Sequence, residues 1–315
     1  MNKYSMLFGP ADVTHTMEDM QALVNRNSFV ALRFKEVSDY SGVPVSELLK
    51  EKGSRQSLPS LQMVSLGLLA GMLGIADYIA SIRGAPESVG GISLGELVAL
   101  CFSSAISVKD ATSIILCEEK KILGGSAEPE GVGFVFLPSE SDSKIFIESS
   151  SIYVAVDYGK IQSGAGNLLM LSGLRKNLEK EAEISPWEID ILPVELCDNA
   201  YHSELRSPVS WKIAELLKSM TINNCDYPVN TCFKDLRRLR TPKDVKEALI
   251  KNVVEPLFVS QLIEQQKTDD SAQMVCIGPF LRSLDLNFDL PAEYFDENWV
   301  LNSMEVGNDS LKYGE

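Results

Sequence analysis

The chain is 315 residues long, 45% hydrophobic and 23% charged, with a formal net charge of -15. That length supports a large buried core divided into more than one unit of structure, and the charge opposes phosphate backbones and anionic lipid, which argues against nucleic acid and membrane surfaces as partners. Met1 to Thr14 lacks the apolar core of a signal peptide, and the longest apolar run, Leu66 to Ala76, falls short of the roughly 18 residues of a membrane span, so a cytosolic protein is expected.

Six cysteines (Cys101, Cys117, Cys197, Cys225, Cys232, Cys276) form no C-x-x-C pair and read as reduced thiols, with no metal site implied. Residues 1 to 9 read as a first strand ending at a Gly9-Pro10 break, followed by a helix from about Thr16 to Val24. Leu58 to Ile75 carries apolar residues on most faces and predicts a buried helix.

Ser88 to Leu100, SVGGISLGELVAL, is the stretch the chain is organised around. Within it Gly91 to Gly95 fits G-x-S-x-G, the strand-turn-helix elbow that exposes a nucleophilic serine, here Ser93. The flanks agree, with a strand at Ser88 to Ile92 and an apolar helix from Leu94 to Phe102. A second helix, capped by Ser107, is expected over Val108 to Ile122.

From Gly131 the composition shifts to short β-rich runs. Strands at 134 to 137, 152 to 156, 167 to 171 and 189 to 194, with helices near Ser143 to Glu148 and over Arg175 to Ala182, give the order β-α-β-β-α-β. The fold class is therefore α/β: a large subdomain, residues 1–127 and 196–315, interrupted by a ferredoxin-like small subdomain at 128–195. In the second half, helices at 207 to 220, 242 to 252 and 259 to 266 alternate with strands at 229 to 232 and 272 to 277, as a mostly parallel sheet requires. The tail after Asn302 is polar.

A serine nucleophile needs a base, and histidine titrates near neutrality. The chain has two, His15 and His202. His15 follows the first loop and reads as a surface or capping residue. His202, in CDNAYHSEL where the chain returns to the large subdomain, is the candidate base.

At these residues the sequence resembles a known family. GISLGE resembles the GHSLGE of malonyl-CoA:acyl-carrier-protein transacylases and polyketide-synthase acyltransferase domains, and CDNAYHS resembles the loop carrying their histidine. LPSLQMVSLGL looks like their QPAL helix and CIGPFLRSL like a late V-G-P segment, so the likeness runs from about residue 7 to 285. It implies an α/β-hydrolase-like large subdomain, Ser93 as the acylated nucleophile and His202 as base, its ring held by the main-chain carbonyl of Asn252. It also implies no bound cofactor, substrates carried on phosphopantetheine, an acyl carrier protein as partner, and a monomer.

Departures from the family shape the expected activity. Ala11 takes the place of a glutamine whose backbone N–H serves the oxyanion hole, leaving the amides of Ala11 and Leu94 for that task. Ile92 replaces a histidine before the serine and should make that wall of the pocket apolar. Where the family carries the arginine that clamps a malonyl carboxylate stands Glu118. Losing one partner of a buried charge pair costs about 2 to 5 kcal/mol, or roughly 10² to 10³ in selectivity. The resemblance therefore points to a non-carboxylated acyl group passed from Ser93 either to water, as in the family's acyl hydrolases, which is favoured, or to another phosphopantetheine thiol, as in its monoacyl-selective transferases; the alternative is an extender-unit transacylase with another clamp, Lys120 or Lys121. Tyr201 should crowd a branched acyl group, and nothing in the sequence explains Asn199. Carrier docking is assigned to the basic stretch with Arg237, Arg238 and Arg240.

Overall fold

The computed structural model describes residues 3–12, 18–50, 60–118, 128–139, 141, 146, 151–161 and 164–296. Their strands are β1 (Tyr4–Phe8), β2 (Ser88–Gly91), β3 (Glu130–Pro138), β4 (Ile152–Ile161), β5 (Gly166–Leu174), β6 (Ile189–Ile191), β7 (Val229–Asn230), β8 (Leu257–Phe258), β9 (Gln273–Ile277) and β10 (Ala292–Phe295). They form two sheets. The first, in the order β10-β9-β1-β2-β7, is parallel throughout. Its strands β1 and β2 are buried on both faces, as suits a parallel sheet covered by helices.

The second sheet runs β6-β3-β5-β4-β8. Its first four strands are antiparallel neighbours, in the ferredoxin-like arrangement expected from the sequence. The short β8 then adds in parallel along β4, Val156 opposite Leu257, so a strand from the large unit completes the small sheet.

Alternation along these strands divides the side chains between two cores, since neighbours point to opposite faces. On β3, Val135 and Leu137 pack into the small core with Leu169, Leu171 and Leu178, while Phe134 packs toward the large one. On β4 the register shifts between Val154 and Val156. Ile152 and Val154 belong to the small core, whereas Val156 and Tyr158, at the same parity, belong to the large one. The bulge re-aims the strand, which strict alternation would not do.

Several elements depart from the sequence reading. The first helix is Glu18–Arg26, and the chain then forms Ser28–Ser41, a helix not foreseen. Its signals are local: the Asn27 side chain accepts from the amides of Phe29 and Val30, Gly42 closes it at φ 73°, and Val30, Phe34 and Val37 form its buried stripe. The buried helix extends from Ser60 to Arg83, because Ile75 and Ile79 continue its apolar face beyond Gly74. By length and composition, with a mean hydropathy of 1.7, it could cross a membrane, yet most of it is buried inside the protein. The strand at 189 is shorter than expected, and β10 and the helix Leu281–Leu284 follow where a closing turn was read. The helix near Ser143 to Glu148 lies mostly outside the described residues, as do the end of the Val108 helix, Lys120, Lys121, His15 and the tail.

Candidate active site

At the end of β2 the chain turns through Ser93, at φ 56° and ψ -113°, into the helix Leu94–Phe102. A β-carbon on Gly91 would lie 1.9 Å from the Gly95 carbonyl carbon, and one on Gly95 would lie 2.2 Å from the Phe8 carbonyl oxygen. Neither position has room for a side chain, which is why glycine flanks the serine on both sides. The unfavourable dihedrals at Ser93 are held by this packing and by the amide of Ile92 donating to the Phe8 carbonyl.

Ser93 Oγ lies 2.9 Å from His202 Nε2. The other ring nitrogen, Nδ1, lies 2.5 Å from the Asn252 carbonyl oxygen. A carbonyl only accepts, so Nδ1 carries the proton and Nε2 is left to accept from the serine hydroxyl. Burial drives the His202 pKa down to about 4; the Asn252 carbonyl opposes the shift and the Arg206 charge adds to it. The ring is therefore neutral at pH 7.

Asn252 is fixed in turn. Its Nδ2 donates to Glu96 Oε2 at 2.5 Å and to the Ser93 carbonyl at 3.4 Å. Glu96, on the elbow helix, is fully buried, and desolvation raises its pKa to about 8 against the opposing pull of Asn252. Its Oε1 finds no partner among the described residues. Sequence reasoning missed Glu96, which is visible only as the acidic residue closing GISLGE.

The serine opens onto a cavity of about 240 Å³ between the elbow and one face of the second sheet. Val132, Phe134, Val156, Tyr158 and Met170 supply that sheet's share of the lining, so the β4 bulge also shapes the cavity. Ala11 and Leu94 line it near the serine, and neither amide donates to a protein acceptor among the described residues, which leaves both N–H groups available to an oxyanion. Glu118 and Tyr201 line it as well. Among the described residues no cluster of His, Cys, Asp or Glu could hold a metal ion.

Other assignments need correction. Ile92 is fully buried, packed into the large core, and is not among the residues lining the cavity. Asn199 is also absent from the wall; its Oδ1 accepts from Arg206 Nη1 at 2.6 Å. Arg206 itself does line the cavity, and nothing in the sequence reading singled it out. In the basic stretch, Arg238 is not free for docking, since its guanidinium is tied to the buried carboxylate of Asp269. Arg237 is exposed and reaches Gln261 Oε1 at 2.8 Å, and Arg240 is exposed.

Fold and site together define an α/β protein with an elbow serine facing a neutral histidine oriented by a main-chain carbonyl. Comparison with known proteins makes the likeness particular. No protein-family model matches the chain. Over 252 residues it is 24% identical to the malonyl CoA-acyl carrier protein transacylase of Bacillus subtilis, covering 78% of this chain and 77% of that one. The malonyl-CoA:acyl carrier protein transacylase of Helicobacter pylori has the same fold, with a TM-score of 0.80 over 100% of both chains at 15% identity. So does a malonyl-transacylase solved in complex with its type II polyketide synthase acyl-carrier protein, with a TM-score of 0.76 at 19% identity over 96% of this chain and 99% of that one. The fold is that of the malonyl-CoA:acyl-carrier-protein transacylases.

Proposed function

We propose that this protein is a serine acyltransferase that takes an acyl group from a phosphopantetheine thioester onto Ser93 and passes it to the thiol of an acyl carrier protein. The observation that carries the reading is the chain of contacts from Ser93 Oγ through the His202 ring to the Asn252 carbonyl, set on a glycine-flanked elbow. In the first half-reaction Ser93 Oγ attacks the thioester carbonyl carbon while its proton moves to His202 Nε2. Negative charge on the carbonyl oxygen is met by the Ala11 and Leu94 amides. The C–S bond then breaks, and the departing thiol takes the proton from Nε2. The second half repeats these steps in reverse with the carrier thiol as nucleophile. The Asn252 carbonyl carries no full charge, so it keeps the ring's one proton on Nδ1 and orients it without favouring a second proton on Nε2 in the resting state.

Of the two acceptors left open by the sequence, water and a phosphopantetheine thiol, the thiol is favoured here. The relatives similar to this chain are transacylases by name, and one of the solved structures sharing its fold holds a carrier protein. The cavity, lined largely by apolar side chains, also favours a bound acyl arm over water.

The test is intact-protein mass spectrometry after mixing with malonyl-CoA and, separately, acetyl-CoA. At least one should leave an acyl adduct that Ser93→Ala lacks, and holo acyl carrier protein should discharge the adduct at least about tenfold faster than buffer. An adduct surviving in Ser93→Ala would remove the nucleophile assignment; decay at one rate with and without carrier would restore the hydrolase.

A further inference from the structure

Arg206 lies in the 3-10 turn Glu204–Arg206, four residues after His202, and is only 7% exposed. It lines the cavity together with Ser93, His202, Glu118 and Tyr201. Nη1 donates to Asn199 Oδ1 at 2.6 Å, and Nη2 donates to the main-chain carbonyl of Glu118 at the end of the helix Val108–Glu118. The guanidinium carbon stands 5.4 Å from the centroid of the Tyr201 ring. These partners are a neutral amide, a main-chain carbonyl and an aromatic face. Among the described residues no carboxylate pairs with Arg206.

A guanidinium out of water is costly unless an anion faces it. It carries five N–H donors in a planar fork, more than the two contacts to Asn199 and Glu118 consume. Those contacts fix the plane, and a fixed fork on a residue that lines the cavity suits the two oxygens of a carboxylate. Among the described residues Arg206 makes no hydrogen bond to Ser93 or His202, which sets it apart from the reacting bond.

We propose that Arg206 is the carboxylate receptor of this site and that the acyl group it selects carries a free carboxylate, as a malonyl group does. This deepens the transacylase reading and rests on it. The substitution at Glu118 then does not remove carboxylate recognition: the cation stands on another segment, and residue 118 supports it through its main-chain oxygen. Occupancy would also help the base. The Arg206 charge disfavours the imidazolium form of His202, and a bound carboxylate would offset that charge at the step where Nε2 takes the proton. Asn199, unexplained by sequence, becomes the residue that sets the angle of the fork.

The experiment compares initial rates of Ser93 acylation by malonyl-CoA and acetyl-CoA in the wild type and in Arg206→Gln, Arg206→Met and Arg206→Lys, each checked by thermal melting. The malonyl-to-acetyl ratio should fall at least tenfold in the Gln and Met variants and return in part with Lys, which restores charge without the fork. In the wild type, a malonyl thioester with its free carboxylate capped as a methyl ester should also load at least tenfold more slowly than malonyl-CoA, a comparison that needs no variant to fold. An equal loss for both thioesters would make Arg206 a structural cap of the helix ending at Glu118 and overturn the proposal. Acetyl loading without malonyl loading in the wild type would overturn it too, leaving the acyltransferase reading in place with a neutral acyl group. Failure of both thioesters to acylate the wild type would overturn the proposal and that reading together.

Discussion

His202 has to be neutral to accept a proton from Ser93, and burial secures this by lowering its pKa to about 4. Loss of the base form therefore comes as pH falls through about 4, well below the ordinary histidine range near 6.5. Acylation by a small thioester should stay within about twofold between pH 5.5 and pH 7.5, measured by stopped-time mass spectrometry. A midpoint near 6.5 would show a hydrated ring and contradict the geometry. His202→Ala should slow acylation by about 10² or more, the usual loss when a general base is removed. Glu118 and Arg206 show why single residues mislead when read in sequence. The resemblance singled out Glu118 by its spacing from Ser93, but spacing carries no information about which other segment brings a cation to the same wall, where Arg206 stands.

At the scale of the element, the elbow is a packing problem solved by two glycines. Gly95→Ala places its β-carbon against the Phe8 carbonyl of the neighbouring strand, where only backbone movement makes room. Overpacking of this kind costs about 1 to 3 kcal/mol or more. The variant should melt several degrees below wild type and show no Ser93 adduct. The comparison is Gly173→Ala, whose β-carbon would meet its neighbours at 3.5 Å, an ordinary contact, and which should melt close to wild type and still be acylated. Equal melting temperatures for the Gly95 variant and wild type would mean that the elbow is looser than these distances allow. The helix Ser28–Ser41 teaches a different point. Its cap and its buried stripe were present in the sequence as Asn27, Val30, Phe34 and Val37, but its mixed polarity hid the pattern until the partner helix Ser60–Arg83 supplied a surface to bury it against. Arg33 confirms that contact, donating to Asp77 at 2.6 Å.

For the molecule as a whole, two buried titrating groups give stability opposite dependences on pH. Glu96 has its pKa raised to about 8, so its contribution is fully present below the unfolded value of 4.5 and is lost as pH rises through 8. His202 has its pKa lowered to about 4, so stability is lost as pH falls from 6.5 toward 4, where the unfolded chain takes up a proton that the folded chain refuses. Between about 4.5 and 6.5 the two slopes oppose each other. Glu96→Gln removes one of them and keeps an acceptor for Asn252. Its melting temperature relative to wild type should rise steadily from pH 5 to pH 8, corresponding to at most about 1.4 kcal/mol per pH unit. A difference independent of pH would mean that Glu96 is ionised in the folded protein and that its burial is compensated by a group other than Asn252.

The alternation of apolar and turn residues was enough to place most strands and helices, the ferredoxin-like order and the elbow, because each depends on neighbours close in the chain. His202 was legible as the better placed of only two histidines, whereas the Asn252 carbonyl was legible only through resemblance. Three features were decided only by tertiary structure. The β4 bulge turns Val156 and Tyr158 into the cavity against the parity of the strand, the addition of β8 completes the second sheet from the large unit, and Arg206 meets Glu118 across 88 positions of sequence. Each joins groups whose proximity depends on how separate segments pack, and packing distances of a few ångströms leave no periodic or spacing signal along the chain.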